Sequence, residues 1–411
     1  MTEPDDDETP SVRTPAPLPD SVSQATIGVR GGLLRSGFDE TAEALYLTSG
    51  YVYPSAAEAE KAFTGEIERF VYSRYGNPTV TMFEERLRLI EGAPAAFATS
   101  SGMAAVFTGL GALLAAGDRL VAARSLFGSC FVVCNEILPR WGVETVFVDG
   151  EDLDQWERAL AKPAQVVFFE TPSNPMQSLV DIAAVSEMAH AAGAKAVLDN
   201  VFATPLLQQG LPLGVDVVIY SGTKHIDGQG RVLGGAILGD SEYIEGPVQM
   251  LMRHTGPALS PFNAWVLLKG LETMSVRVNY SNASAHRIAE FLESHPAVRW
   301  VRYPFLPSHP QHDLAKRQMT GGGTVVTFEL DAPEGRGKQR AFDVLDKLSL
   351  IDISNNLGDS KTLITHPATT THRAMGPDGR AAIGLGDGVV RISVGLEGTE
   401  DLIADLDRAL A

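Results

Sequence analysis

The chain has 411 residues, 44% of them apolar, so it can bury more than one core, and its length predicts two or three domains. A formal charge of −18 excludes the basic face that nucleic acid or an anionic membrane surface requires. The expected partners are small molecules, and the nine histidines show no metal-ligand spacing.

Residues 1–22 are acidic and proline-rich, with neither an apolar h-region nor an Arg-rich amphipathic pattern, and they are expected to form a disordered tail on a cytoplasmic protein. Residues 23–75 mix short helical stretches such as 55–63 with little strand pattern, which reads as an arm. The arm ends in Val71-Tyr72-Ser73-Arg74-Tyr75-Gly76-Asn77-Pro78-Thr79. Asn77-Pro78 is a helix-start signal, so Tyr72 and Arg74 are expected in a loop ahead of a helix over 79–91.

A strand of small residues over 95–100 then runs into Ser101-Gly102-Met103 and an apolar helix. Free amides at a helix start, with its dipole, suit a phosphate, and a glycine there allows close approach. Glycine before a helix is common, so this signal needs company. Strands at 120–123, 144–148, 166–169, 195–200, 215–220 and 233–238 alternate with helices at 153–160, at 182–192 and around Cys130 and Cys134. The two cysteines read as core residues, since two thiols are too few for a tetrahedral metal site. Continuous apolar strands between amphipathic helices predict an α/β fold with a large, mostly parallel sheet covered on both faces, over 76–275.

A long helix over 264–295 breaks the alternation. Strands at 298–303, 323–330, 362–365 and 389–394, with helices at 339–347 and 400–410, predict a smaller α+β domain over 276–411. Arg391 lies inside its last strand, where an unpaired cation is costly to bury; it either meets a carboxylate of the protein or waits for one on a ligand.

The centre of the chain is Tyr220-Ser221-Gly222-Thr223-Lys224-His225, where a strand delivers an amine flanked by two hydroxyls. A lone lysine after a strand is usually solvated. Asp199 alters that balance, because it ends another apolar strand and the carboxyl ends of parallel strands open on one crevice. A carboxylate that keeps a pyridine nitrogen protonated and a lysine that holds an aldehyde are the two attachments of pyridoxal 5'-phosphate. Asn174, in Glu170-Thr171-Pro172-Ser173-Asn174-Pro175, falls at a third strand end.

With these motifs in order, the chain resembles the Cys/Met-metabolism family of fold-type I pyridoxal-phosphate enzymes from about Thr26 to the C-terminus. That family includes cystathionine γ-synthases, cystathionine lyases and homoserine-ester sulfhydrylases. The resemblance implies that Lys224 is the Schiff-base lysine, that Asp199 pairs with the ring nitrogen, and that Gly102, Met103, Ser221 and Thr223 bind the phosphate. It further implies that Tyr72 and Arg74 reach the phosphate of a neighbouring subunit, in a tetramer made of two dimers. Asn174 would lie near the cofactor's phenolic oxygen, Arg391 would clamp the substrate α-carboxylate, and Asn356 would belong to the substrate loop.

Two stretches depart from the wider family. Ser125-Leu126-Phe127-Gly128 carries phenylalanine where many relatives have a tyrosine stacked on the ring; Phe127 can stack but carries no proton. Ser354-Asn355-Asn356-Leu357-Gly358-Asp359 stands where relatives read Ser-Leu-Gly. Both resemble the sulfhydrylases acting on the succinyl ester, which implies conversion of O-succinyl-L-homoserine and sulfide to L-homocysteine. A γ-synthase, a γ-lyase or an acetyl-ester sulfhydrylase stays open. A non-catalytic store of the cofactor is a further alternative, against which Arg391 speaks. A nucleotide loop at Gly102 or Gly321-Gly322-Gly323 lacks the required glycine spacing.

Overall fold

Seven strands, β1 (Ala95–Thr99), β2 (Arg119–Ala123), β3 (Glu144–Val148), β4 (Val166–Glu170), β5 (Lys195–Asp199), β6 (Val217–Ser221) and β7 (Gly235–Gly239), form the larger sheet in the order β1-β7-β6-β5-β4-β2-β3. In this computed structural model, which describes residues 14–19 and 21–411, β7 runs antiparallel to both its neighbours and all other pairs are parallel. The expected tail over 1–22 lies largely outside the described residues.

Alternate residues of each central strand feed two separate cores, one per face. Val167, Phe169, Ala196, Leu198, Val218 and Tyr220 pack into one, while Val166, Phe168, Val197, Val217 and Ile219 pack into the other. A side-chain period of two on strands buried on both sides requires unbroken apolar runs, which is the pattern of these strands. Because β4, β5 and β6 are parallel and in register, Glu170 stands beside Asp199, and Ser221 ends the next strand.

The smaller sheet holds β8 (Val298–Arg302), β9 (Val325–Leu330), β10 (Asp352–Ile353), β11 (Leu363–Thr365) and β12 (Val389–Ser393), ordered β10-β11-β12-β9-β8. It is antiparallel except for the β10–β11 pair. The two exposed residues of β10 carry no apolar pattern, and the sequence does not announce them.

The helix Pro261–Ser294 is the spine common to both sheets, about 50 Å long at 1.5 Å per residue. Ser260 caps it, accepting the Asn263 amide, and Pro261 fits its first turn. Leu267, Leu271, Met274 and Val278 join the core under the larger sheet, while Ala285, Ile288 and Leu292 join that of the smaller one. Gly270 brings the helix against the loop after Lys224: a Cβ there would stand 2.2 Å from the Ile226 carbonyl oxygen.

The arm is pinned at its start and open beyond it. Buried Arg86 donates to the Gly31 carbonyl at 2.8 Å and pairs with Glu43, which also accepts from Lys269 at 2.9 Å. Farther along, Phe38, Leu47, Val52 and Phe63 are exposed apolar side chains.

Candidate active site

One cavity of about 330 Å³ opens at the carboxyl ends of β4, β5 and β6, walled on its far side by Asn355, Leu357, Thr371 and Arg391. The sequence-predicted residues Gly102, Met103, Phe127, Asn174, Asp199, Ser221, Thr223, Lys224 and Arg391 all line it. Asn356 contacts it through Lys224, whose Nζ donates to Asn356 Oδ1 at 2.5 Å. Tyr72 and Arg74 are not brought to this cavity. Tyr72 is 41% exposed, and Arg74 bonds to the Arg253 carbonyl and stacks 4.9 Å from the Tyr75 ring centroid.

At the phosphate end, β1 leads into Ser101, the N-cap of the helix Gly102–Gly111, whose hydroxyl accepts the Ala104 amide at 3.1 Å. The amides of Gly102 and Met103 are the donors left over at a helix start, and they have no acceptor among the described residues. A Cβ on Gly102 would lie 2.6 Å from Ser221 Cβ, so only glycine allows helix and strand end to meet as they do. Thr223 Oγ1 accepts the Gly234 amide at 3.2 Å. Two amides, a hydroxyl at Ser221 and the helix dipole make an anion cradle.

Asp199 is buried at the base. Its Oδ1 accepts the Val201 amide at 3.1 Å, and its other oxygen has no partner among the described residues. Burial raises its pKa to about 6, the state of a carboxylate lacking a cation. Lys224 is lowered to about 8, first by burial and then by the charge of Arg391, so a fraction of it is a free amine near neutral pH.

Arg391 is 1% exposed on β12 and makes no salt bridge among the described residues. Its Nη1 donates to Asn174 Oδ1 at 2.9 Å, and its Nη2 to the carbonyls of Asn355 and Asn356 at 2.9 and 3.2 Å. Its Nε is buried without any partner. Burial lowers its pKa to about 10, opposed by the nearby charge of Glu170. It is a buried guanidinium held by neutral acceptors, with its Nε unpartnered.

Glu170 and Cys130 are among the wall residues that the sequence reading did not assign to the site. Glu170 ends β4 and its side chain accepts the amides of Phe127 and Asn174, each at 2.8 Å. Cys130 is free and buried, as the core assignment expects, yet its side chain also lines the cavity, 3.9 Å from Met103 Sδ. Glu170 is the last residue of an apolar strand that ends where Asp199's strand ends, a signal available in the sequence.

The arrangement fits pyridoxal phosphate: an anion cradle, an unpaired carboxylate and a partly neutral lysine surround one cavity, with an open guanidinium across it. The family model for Cys/Met metabolism PLP-dependent enzymes matches residues 25–411. The chain belongs to that family. Members like it include an O-succinylhomoserine sulfhydrylase of Mycobacterium tuberculosis, 84% identical over 98% of this chain and 99% of that one. A second protein of that name, from Pseudomonas aeruginosa, is 47% identical over 94% of each chain. Among solved structures, a putative O-acetylhomoserine (thiol)-lyase of Campylobacter jejuni with N'-pyridoxyl-lysine-5'-monophosphate superposes with a TM-score of 0.89. It is 30% identical over 95% of this chain and 100% of that one. This Cys/Met-metabolism enzyme is therefore a pyridoxal-phosphate enzyme of fold type I.

Proposed function

We propose that this enzyme converts O-succinyl-L-homoserine and sulfide to L-homocysteine and succinate, a step of methionine biosynthesis. The observation that carries the reading is the near-full-length 84% identity to a relative of that name, joined to a cavity lined by the Lys224 amine, the Asp199 carboxylate and the Arg391 guanidinium.

When bound, pyridoxal phosphate supplies an aldehyde for amines and a cationic ring that draws electrons from the substrate's α- and β-carbons. Lys224 would hold the aldehyde, and its amine, lowered to about 8 by burial and the charge of Arg391, would take and return protons at Cα and Cβ. Asp199 would keep the ring nitrogen protonated. Gly102, Met103, Ser221 and Thr223 would hold the phosphate, and Phe127 and Asn174 would hold the ring. Arg391 receives the α-carboxylate through its free Nε, and Asn356 positions Lys224 at the substrate. Succinate leaves Cγ and sulfide bonds there. With Phe127 unable to move a proton, these transfers fall to Lys224.

Tyr72 and Arg74 complete the phosphate site of a second copy, since their own cavity lies elsewhere. The exposed Phe38, at 89%, and Val52, at 88%, give the arm the apolar surface such a contact buries. A tetramer of two such dimers, with the arm over 23–75 crossing between copies, is the assembly we infer. No helix among the described residues is long and apolar enough to cross a membrane, and we place the enzyme in the cytoplasm.

Product analysis of the cofactor-loaded protein tests the reading. O-succinylhomoserine should yield homocysteine mainly with sulfide, and faster than O-acetylhomoserine does. Cystathionine as the main product with cysteine would make the enzyme a γ-synthase. Release of 2-oxobutanoate without a thiol would make it a γ-lyase.

A further inference from the structure

The carboxylate of Glu170 has no role in the steps above, yet it is buried in the cavity wall and spans two loops. One oxygen accepts the Phe127 amide and the other the Asn174 amide, each at 2.8 Å. Phe127 begins the helix Gly128–Val132, and no side chain caps that helix start, so the Glu170 bond sets where the Phe127 backbone stands. Asn174 in turn holds Arg391 Nη1 through its Oδ1, and its carbonyl accepts from His372 Nε2–H at 3.1 Å.

Burial and the charge of Asp199 push the Glu170 carboxyl well above the usual carboxylate range, and the two amides and Arg391 act the other way. Glu170 is the strand-register neighbour of Asp199 and the acid whose field acts on Arg391, although Arg391 spends its bonds on neutral acceptors. A carboxylate bonded directly to Arg391 would occupy the Nε that a substrate needs. Glu170 instead spends its oxygens on the two amides, and that Nε is left without a partner.

We propose that Glu170 is the positioning residue of this site: a single carboxylate that fixes the ring-covering Phe127 and the Asn174–Arg391 clamp relative to each other. This rests on the reading that the cavity binds pyridoxal phosphate and an amino-acid substrate. It does not depend on which ester or thiol is used.

Glu170→Gln keeps the shape but offers one acceptor and one NH₂, so one of the two amides faces a donor. Residues that only fill space would tolerate this exchange. In the holoenzyme, Glu170→Gln should change the amplitude of the cofactor's visible circular dichroism, as the Phe127 side of the ring shifts. It should also raise the KM for the homoserine ester on the order of tenfold, more than it lowers kcat. Glu170→Asp adds no atoms and keeps the charge, but with one methylene fewer it reaches only one loop; it should show the same dichroism and KM changes and serves if the Gln variant does not fold. Wild-type dichroism together with wild-type KM in either folded variant overturns the proposal. Dichroism reads the cofactor whatever the product, so a wild type that made cystathionine instead of homocysteine would refute the proposed reaction and leave this test intact.

Discussion

Removing the guanidinium at Arg391 should disable substrate capture while leaving the cofactor in place. In Arg391→Ala, the unpartnered Nε is lost as a donor to the α-carboxylate, together with the guanidinium charge. At about 1.5–3 kcal/mol for a hydrogen bond to a charged group, the loss is about 3 kcal/mol, or on the order of 10²-fold in kcat/KM. Arg391→Lys keeps the charge but not the fork, and should lose about 10–100-fold, because a point charge cannot serve Asn174, two carbonyls and a carboxylate together. The assay is steady-state kcat/KM for O-succinylhomoserine on protein whose cofactor content has been measured from its visible absorbance. Fully loaded Arg391→Ala with kcat/KM within about threefold of wild type would refute the clamp.

Lys224 should make the cofactor-free protein more stable as pH rises. Burial and Arg391 lower its pKa from 10.5 to about 8, so between those values the unfolded chain holds a proton that the folded chain does not. Stability therefore increases with pH across that window; the penalty, on the order of 3 kcal/mol, is complete below it and gone above it. Lys224→Met should melt higher than wild type at pH 7 and lose the advantage by pH 10.5, and a difference that stays constant contradicts the burial argument. Gly102→Ala puts a Cβ 2.6 Å from Ser221 Cβ and should weaken pyridoxal phosphate binding about tenfold or more in equilibrium dialysis. Unchanged affinity would show that the cradle is elsewhere. Gly270→Ala sets a Cβ 2.2 Å from the Ile226 carbonyl and should lower stability by about 1–3 kcal/mol in denaturant unfolding, with a wild-type midpoint counting against the tight packing.

The two attachment points proposed for the cofactor were legible because each is a local pattern: an apolar strand with a functional residue at or just past its end. Asp199 ends β5, Lys224 follows β6, and parallel pairing brings such ends together. The cap at Asn77, the long spine helix and most strands were equally readable, being matters of periodicity and capping.

Tertiary structure decided the rest. That Arg391 waits with an open Nε, rather than pairing with an acid of the protein, depends on Asn174 and Asn355 arriving from other parts of the chain to take its other donors. The proposed role of Glu170 depends on two loops whose amides meet one carboxylate, and Tyr72 and Arg74 stay off the cavity because Tyr72 bridges to Gly50 and Arg74 bonds to the Arg253 carbonyl. Sequence determines which groups stand at the ends of regular elements, since those follow from short-range sterics and hydrophobic period. Which donors remain unpaired in a buried site is a sum over contacts between distant segments, and it exists only once the chain has closed around the cavity.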